Sequence, residues 1–150
     1  MKITWNTENI NMINEQAKLA LLDTAEAIKT DLIQSQTMPF GRNIYKKIYG
    51  KRGKVAKNGR KYKGKIKMMH MGGTLQNDST FVDDKRIIYG IVKIVSDTPY
   101  ARKMYFHPEY NFNKDKNPNA GGRWFDTYIN GEKKGLPSKY FKKLLKRRMK

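Results

Sequence analysis

Few side chains in this sequence combine the type and the spacing that catalysis requires. His70 and His107 are the only histidines, and neither has a metal-ligating side chain three or four residues further on. The tyrosine-rich surroundings of His107 favour a hydrogen-bonded packing role over that of a base or a metal ligand. Asp83 and Asp84 could in principle hold Mg²⁺, but neighbouring side chains of a strand point to opposite faces, so a hairpin turn explains the pair better.

Motifs for phosphate binding and nucleophilic catalysis are also missing. Gly72-Gly73-Thr74 lacks the preceding strand and the Gly-Lys-Ser/Thr of a phosphate-binding loop. The chain contains no cysteine, which removes disulfides, thiolate metal sites and a cysteine nucleophile together. We therefore expect a protein that is not an enzyme and that uses no cofactor and no metal.

Charge is the strongest signal, because the 150 residues carry a net charge of +19. Residues 42–67 hold twelve Lys or Arg and residues 133–150 hold nine, and both segments lack acids. A field of this size recruits polyanions, either nucleic acid or an acidic protein surface, without specifying a fold. The start of the chain lacks the apolar stretch of a signal peptide, and no apolar run reaches the length of a membrane span.

The basic side chains of these two segments are the candidate contacts to DNA or to an acidic partner. Cations on such segments neutralise phosphate without reading sequence. The candidates are Lys51, Arg52, Lys54, Lys57, Arg60, Lys61, Lys63, Lys65, Lys142, Lys143, Lys146, Arg147 and Arg148.

Aromatic side chains flank a polar loop between residues 98 and 131, and this stretch is the second candidate site. It could contact another subunit, pack internally or stack on nucleic-acid bases, and we favour subunit contact because acids in this region dilute the positive field. The Asn117-to-Gly122 run is expected to need backbone conformations that only Gly and Asn adopt cheaply. The candidate docking residues are Tyr100, Arg102, Tyr105, Phe106, Tyr110, Phe112, Trp124 and Phe125.

The elements that must position these residues follow from periodicity. An apolar stripe at three- and four-residue steps predicts one amphipathic helix over residues 8–36, capped by Asn6 or Thr7 and followed by Pro39. Its members are Ile10, Ile13, Ala17, Leu21, Thr24, Ile28 and Leu32. Residues 41–72 are expected to form an extended basic arm or loose hairpin turning at Asn58-Gly59.

The second half of the chain predicts strands and a closing helix. Residues 79–101 read as two antiparallel strands joined at residues 83–85, the second apolar on both faces and therefore central or covered. Tyr100 to Phe106 is expected to form a short helical turn, residues 123–129 a short strand or helix, and the C-terminus a basic amphipathic helix. The predicted fold is a single α+β domain over residues 1–150, in which the long N-terminal helix packs on a small antiparallel sheet. A basic arm (41–72) is inserted, and residues 133–150 form the C-terminal amphipathic helix.

Three runs in the chain resemble a known family. They are Gly72-to-Asp84, the Thr98-Pro99-Tyr100-Ala101-Arg102 run and the Asn117-to-Gly122 run. The similarity is close over residues 73–134 and loose over the N-terminal helix. They resemble the minor capsid proteins of long-tailed phages of Gram-positive bacteria, which are related to tail-completion, or head–tail joining, proteins of the phage neck.

The resemblance implies a non-enzymatic virion protein whose copies form a ring, usually hexameric, at the top of the tail. Such a ring links a head-side stopper or connector to the tail terminator or tail tube, and DNA passes through its lumen. Relatives usually run from an apolar-Pro-apolar segment directly into Asp-Thr-Gly-x-Leu. Here Met38-Pro39-Phe40 and Gly73-Thr74-Leu75 are separated by the basic residues 41–72, and the Asp is missing. A tail-terminator subunit and a free basic nucleic-acid-binding protein remain the alternatives.

Overall fold

The computed structural model describes residues 7–41, 44–48, 65–70 and 72–150, with side chains described for residues 8–41 and 72–150. Over these residues the chain forms five α-helices, four strands and one 3-10 turn. In chain order they are α1 (Thr7–Gln34), β1 (Ile44–Ile48), β2 (Lys65–His70), α2 (Thr74–Asn77), β3 (Thr80–Asp83), the 3-10 turn (Ile87–Tyr89), β4 (Lys93–Ser96), α3 (Ala101–Phe106), α4 (Asp126–Ile129) and α5 (Leu136–Arg148). The α+β arrangement predicted from the sequence is confirmed.

Helix α1 is the long element against which the rest of the domain packs. Its 28 residues span about 42 Å at the usual rise per residue. The predicted stripe is buried only in its second half, where Thr24, Ile28 and Leu32 are covered. The helix ends at Gln34, two residues before the predicted end, because Gln36 takes a left-handed conformation with φ 55° and Pro39 follows.

Strands β3 and β4 form a two-stranded antiparallel sheet that lies against α1. Thr80 pairs with Ser96 at one end and Asp83 pairs with Lys93 at the other. The predicted second strand is half as long as expected, because residues 87–89 form the 3-10 turn and Gly90 closes it with φ 70°. The predicted turn at residues 83–85 is correspondingly wrong, since the connection runs from residue 84 to residue 92.

Strands β1 and β2 form a second antiparallel pair, which is the base of the predicted basic arm. Ile44 pairs with His70 and Ile48 pairs with Lys65. The backbone hairpin predicted for this insertion is therefore present at its base. The Asn58-Gly59 turn lies outside the described residues.

The core is small and lies where α1, α2, α3 and α4 meet. Ile28, Leu32, Met38, Leu75, Ala101, Trp124 and Tyr128 form its buried cluster. Helix α5 runs along α1 and contributes Leu136 and Tyr140 to the edge of this cluster. The predicted C-terminal helix is thus confirmed as a packed element, with Pro137 in its first turn as helix starts favour.

Candidate interaction surfaces

The polar loop at residues 113–122 packs onto the end of α1. Asn117 is 4% exposed, and its Nδ2 donates to the carbonyl of Met38 at 2.7 Å and to Oε1 of Gln76 at 2.9 Å. Gln76 in turn donates from Nε2 to the carbonyl of Ile33 at 3.3 Å. These bonds join the loop to α2 and to the segment that follows α1. This part of the loop is therefore internal packing and not a docking surface.

Gly122 of this loop allows a close approach of two backbone segments, and it does not adopt a left-handed conformation. Among the described residues, positive φ occurs at Gln36, Gly73, Gly90 and Arg123, so none lies in the Asn117-to-Gly122 run. The expectation that this run needs left-handed conformations is wrong. At Gly122 a Cβ would lie 2.8 Å from Cα of Pro108 and 3.0 Å from the carbonyl oxygen of Tyr105. Two backbone segments therefore touch at this residue, which a side chain would separate.

Tyr105 and Trp124 form the centre of the aromatic cluster. Their rings meet edge to face with centroids 5.0 Å apart, and Tyr105 donates its hydroxyl to Oδ1 of Asp126 at 2.7 Å. Burial, together with the hydrogen bond and the charge of Asp126, raises the pKa of Tyr105 to about 12. Trp124 is 3% exposed and belongs to the core, so we remove it from the docking candidates.

The remaining docking candidates divide into a surface group and a packed group. Phe106 is 60% exposed and Tyr110 is 38% exposed, and Arg102 is also at the surface. Tyr110 stacks on His107, whose Nδ1 lies 2.6 Å from Oε1 of Glu109 and whose side chain is 45% exposed. The packed group, which is half-buried, consists of Tyr100, Tyr105, Phe112 and Phe125.

A polar junction joins α1, α4 and the segment before α5. Asp31 Oδ2 accepts the Tyr128 hydroxyl at 2.5 Å and Lys133 Nζ at 2.5 Å. Burial works to raise the pKa of Asp31, but the two hydrogen bonds and the charge of Lys133 outweigh it and hold that pKa below its ordinary value. Burial and the Asp31 carboxylate raise the pKa of Tyr128. The junction fixes the direction in which α5 leaves the core.

The basic candidates fall into two groups with different placement. On α5, Lys142, Lys143, Lys146 and Arg147 are exposed. Arg148 instead donates to Oδ2 of Asp23 from Nε at 2.9 Å and from Nη2 at 2.6 Å, which ties the end of α5 to α1. Lys65 begins β2, and the other arm candidates lie outside the described residues: Lys51, Arg52, Lys54, Lys57, Arg60, Lys61 and Lys63.

A groove runs beside α1 that sequence reasoning did not find. Its upper part has a volume of about 490 Å³. Its lining consists of Asn14, Ala17, Lys18 and Leu21 of α1, Ile88 of the 3-10 turn, Gly90 after that turn, and Phe141 of α5. A lower part of about 450 Å³ adjoins it at Leu21 and continues between β4 and α4 with a largely apolar lining. Along α1 the two parts together extend from Asn14 to Ile28.

Apolar side chains around the upper groove are exposed, although the sequence pattern predicts that they lie in the core. Ile88 is 65% exposed, Tyr89 74% and Ile91 42%, while Ile10 and Ile13 of α1 are 41% and 44% exposed. The signal that could have revealed this was Gly90, which interrupts the apolar run and ends a 3-10 turn instead of continuing a strand. The surface therefore carries an apolar patch beside a groove, as interaction sites do.

Other kinds of site receive no support from the part of the chain that the structure describes. Within the described ranges, no group of three or more His, Asp or Glu side chains is arranged to hold a metal ion, and Asp83 and Asp84 belong to no such group. The side chain of His70 lies outside the described part. No helix formed by the described residues combines the length and apolar character needed to cross a membrane.

Comparisons of the chain with protein-family models, with curated proteins and with solved structures gave no match. What the chain does is therefore argued from its own surfaces, charge and sequence pattern.

Proposed function

We propose that this protein is a structural subunit of a phage neck, a tail-completion or head–tail joining protein whose copies form a ring around the DNA channel. The ring would link a head-side connector or stopper to the tail terminator or tail tube. The family resemblance over residues 73–134 supplies this proposal, and two physical properties of the chain support it. In this role the protein works by binding neighbours and not by catalysis.

The observation that carries the proposal is the large share of apolar side chains that lie at the surface instead of in the core. Among the described residues, twelve large apolar side chains are exposed and nine apolar residues are buried. Single exposed apolar residues are ordinary, but a cluster beside a groove marks a surface that another protein covers. A subunit whose function is assembly needs such surfaces, and a monomeric enzyme of this size does not.

The placement of charge gives the second support. Residues 7–34 carry five acids and two bases, whereas α5 carries six bases and no acid, and residues 42–67 add twelve bases. The positive charge is thus concentrated on the arm and on one helix. Cations concentrated in this way suit contact with phosphate along a channel, because they bind DNA of any sequence.

The experiment that tests the proposal removes the charge of the arm. We expect the variant with Ala at Lys51, Arg52, Lys54, Lys57, Arg60, Lys61 and Lys63 to fold normally and to impair head–tail joining or DNA retention. The control replaces Lys114 and Lys116 with Ala, since these exposed lysines lie in a segment whose acids and bases balance. Infectious particles at the normal titre from the arm variant would contradict the proposal.

A free basic nucleic-acid-binding protein is the second candidate, and the exposed bases of α5 favour it. This candidate predicts tight, salt-sensitive DNA binding by a monomer in dilute solution. The neck proposal predicts weak binding by the purified protein and copurification with heads or tails. An electrophoretic mobility shift at increasing salt, together with a mass measurement in solution, distinguishes the two.

A further inference from the structure

The N-terminal end of α1 is exposed on every side. Residues 8–15, called the α1 tip below, are all exposed, whereas the same helix is buried at Ala20, Thr24, Ile28 and Leu32. The tip nevertheless carries Ile10 and Ile13 on the stripe that continues into the core. A helix of two turns gains little stability in water without packing, so apolar residues here indicate a surface that a partner covers.

The upper groove begins where the tip ends. Asn14 and Ala17, one turn beyond Ile10 and Ile13, belong to its lining, and Phe141 of α5 lies in the opposite wall. Ala17, Leu21, Ile88 and Phe141 form an apolar part of the groove beside the polar side chains of Asn14 and Lys18. An apolar part of this kind suits the apolar face of a helix. Within the described residues, an exposed helix end that carries apolar side chains therefore lies next to an open groove with a partly apolar lining.

Charge indicates what fits the groove. The tip contains Glu8 and Glu15 and no base, and Glu15 accepts a hydrogen bond from Lys18 of the same helix at 2.7 Å. Helix α5, which forms one wall, carries six bases and no acid. An acidic helix end with apolar anchors therefore complements the basic helix α5 and the apolar part of the lining, whereas a basic segment would be repelled.

We infer that the α1 tip of one copy docks in the upper groove of a second copy. A different protein in the groove would leave the tip uncovered, but a second copy covers both surfaces through one type of contact. The tip and the groove adjoin at Asn14, and the contact can close as a reciprocal pair of two copies or pass from copy to copy around a ring. The inference identifies the contact between subunits in the proposed neck ring. Only the closure of this contact into a ring rests on the proposed neck function.

The absence of cysteine from the chain allows the contact to be tested by cross-linking. An Ile13→Cys variant is mixed with an Ile88→Cys variant under mild oxidation, so that a disulfide between these two positions joins two copies and not one. We expect a covalent dimer containing one of each variant. A Lys116→Cys variant mixed with Ile88→Cys is the control and is expected to remain largely monomeric, because residue 116 is exposed in a loop away from the tip and the groove.

A second measurement keeps the inference testable without disulfides. Ile13→Asp adds a charge to the apolar side of the tip and is expected to weaken self-association roughly tenfold or more, as measured by sedimentation. Leu19→Asp is the matched control, because Leu19 is 40% exposed on the same helix but faces away from the stripe. An Ile88→Asp variant carries a charge at the edge of the groove, while its tip is unchanged. Mixing it with Ile13→Asp restores one intact contact, so a dimer forms that neither variant forms alone.

The inference is overturned if the cysteine mixture gives no more dimer than its control, or if Ile13→Asp and Leu19→Asp associate equally. Failure here is distinguishable from failure of the neck role. The cross-linking and sedimentation use purified protein, whereas the neck role is judged by the position of the protein in particles. A chain found in the neck whose tip and groove do not pair would keep the proposed function and disprove only this mode of subunit docking.

Discussion

The side-chain amide of Asn117 donates to the carbonyl of Met38 at 2.7 Å, across 79 positions of sequence. This bond holds the polar loop against the end of α1, and the second bond of the same amide, to Gln76, ties α2 to both. The polar loop at residues 113–122 is thus held against the end of α1, the longest helix. Phe106 and Tyr110, which precede this loop in the chain, are exposed.

Asn117→Asp is expected to destabilise the fold by about 1–3 kcal/mol, because a carboxylate cannot donate and would face the Met38 carbonyl in a buried site. Denaturant unfolding followed by circular dichroism measures the change in the free energy of unfolding. Asn119→Asp is the matched control: Nδ2 of Asn119 also donates to a carbonyl, that of Ser35 at 3.1 Å, but this residue is exposed. Equal stability of the two variants would show that the buried hydrogen bonds of Asn117 contribute nothing to the stability of the fold.

Gly122→Ala is expected to destabilise the fold by about 1–3 kcal/mol, because the added Cβ would lie 2.8 Å from the backbone of Pro108 and the chain must shift. Gly121→Ala is the matched control, since the nearest atom to its Cβ is 4.0 Å away. Thermal unfolding of the two variants in parallel checks the difference. A Gly122→Ala variant as stable as its neighbour would contradict the close approach described at this loop.

Asp31 gives the protein a pH dependence with a defined sign. Its folded pKa lies below its ordinary value of 3.8, so its contribution to stability is present above that value and is lost as the pH falls through the folded pKa. We expect Asp31→Asn to be less stable than the native chain at about pH 6, and the difference to close as the pH drops below about 4. Urea unfolding at a series of pH values measures it.

The matched control for this pH series is Asp23→Asn, which breaks the exposed pair with Arg148. The side chains of that pair are 39% and 31% exposed, so its removal is expected to change stability by less than about 1 kcal/mol. A difference between the native chain and Asp31→Asn that is independent of pH would show that the carboxylate charge is not what stabilises the junction.

Removing the exposed charge of α5 is expected to weaken DNA binding uniformly over sequences. Replacing Lys142, Lys143, Lys146 and Arg147 with Gln leaves the Arg148–Asp23 pair intact and should lower the slope of log affinity against log salt by up to about 0.9 for each phosphate that is no longer neutralised. Fluorescence anisotropy with two unrelated duplexes measures the slopes. An unchanged slope would exclude α5 from contact with phosphate.

Local patterns predicted most of the fold. The stripe from Ala17 to Leu32 defined α1, and the alternation of Tyr140, Phe141, Leu144 and Leu145 with bases defined α5. The strand prediction was wrong around Ile87 to Ile91, because apolar content was read as burial while Gly90, at φ 70°, ends a 3-10 turn there. Ile88, Tyr89 and Ile91, which were expected in a strand, are exposed instead. The proposed function rests on this apolar patch.

The site was less predictable than the fold, for a physical reason. The partners of Asn117 lie on α2 and beyond the end of α1, and nothing near residue 117 indicates them. Trp124 was expected at a docking surface because aromatic residues are enriched there. Aromatic residues are also common in cores, and Trp124 is buried because the surrounding elements pack over it. Lys142, Lys143, Lys146 and Arg147 lie at the surface, as solvation of charge requires, and their contact with DNA or an acidic partner stays a prediction.

The central claim is that copies of this chain surround the DNA channel between head and tail. Imaging of intact particles by electron cryomicroscopy, with and without an antibody against the chain, tests it directly. The account predicts a ring of density at the head–tail junction that the antibody labels and that is missing from particles made without the protein. Labelling elsewhere on the particle, or particles that contain no copy of the chain, would contradict it.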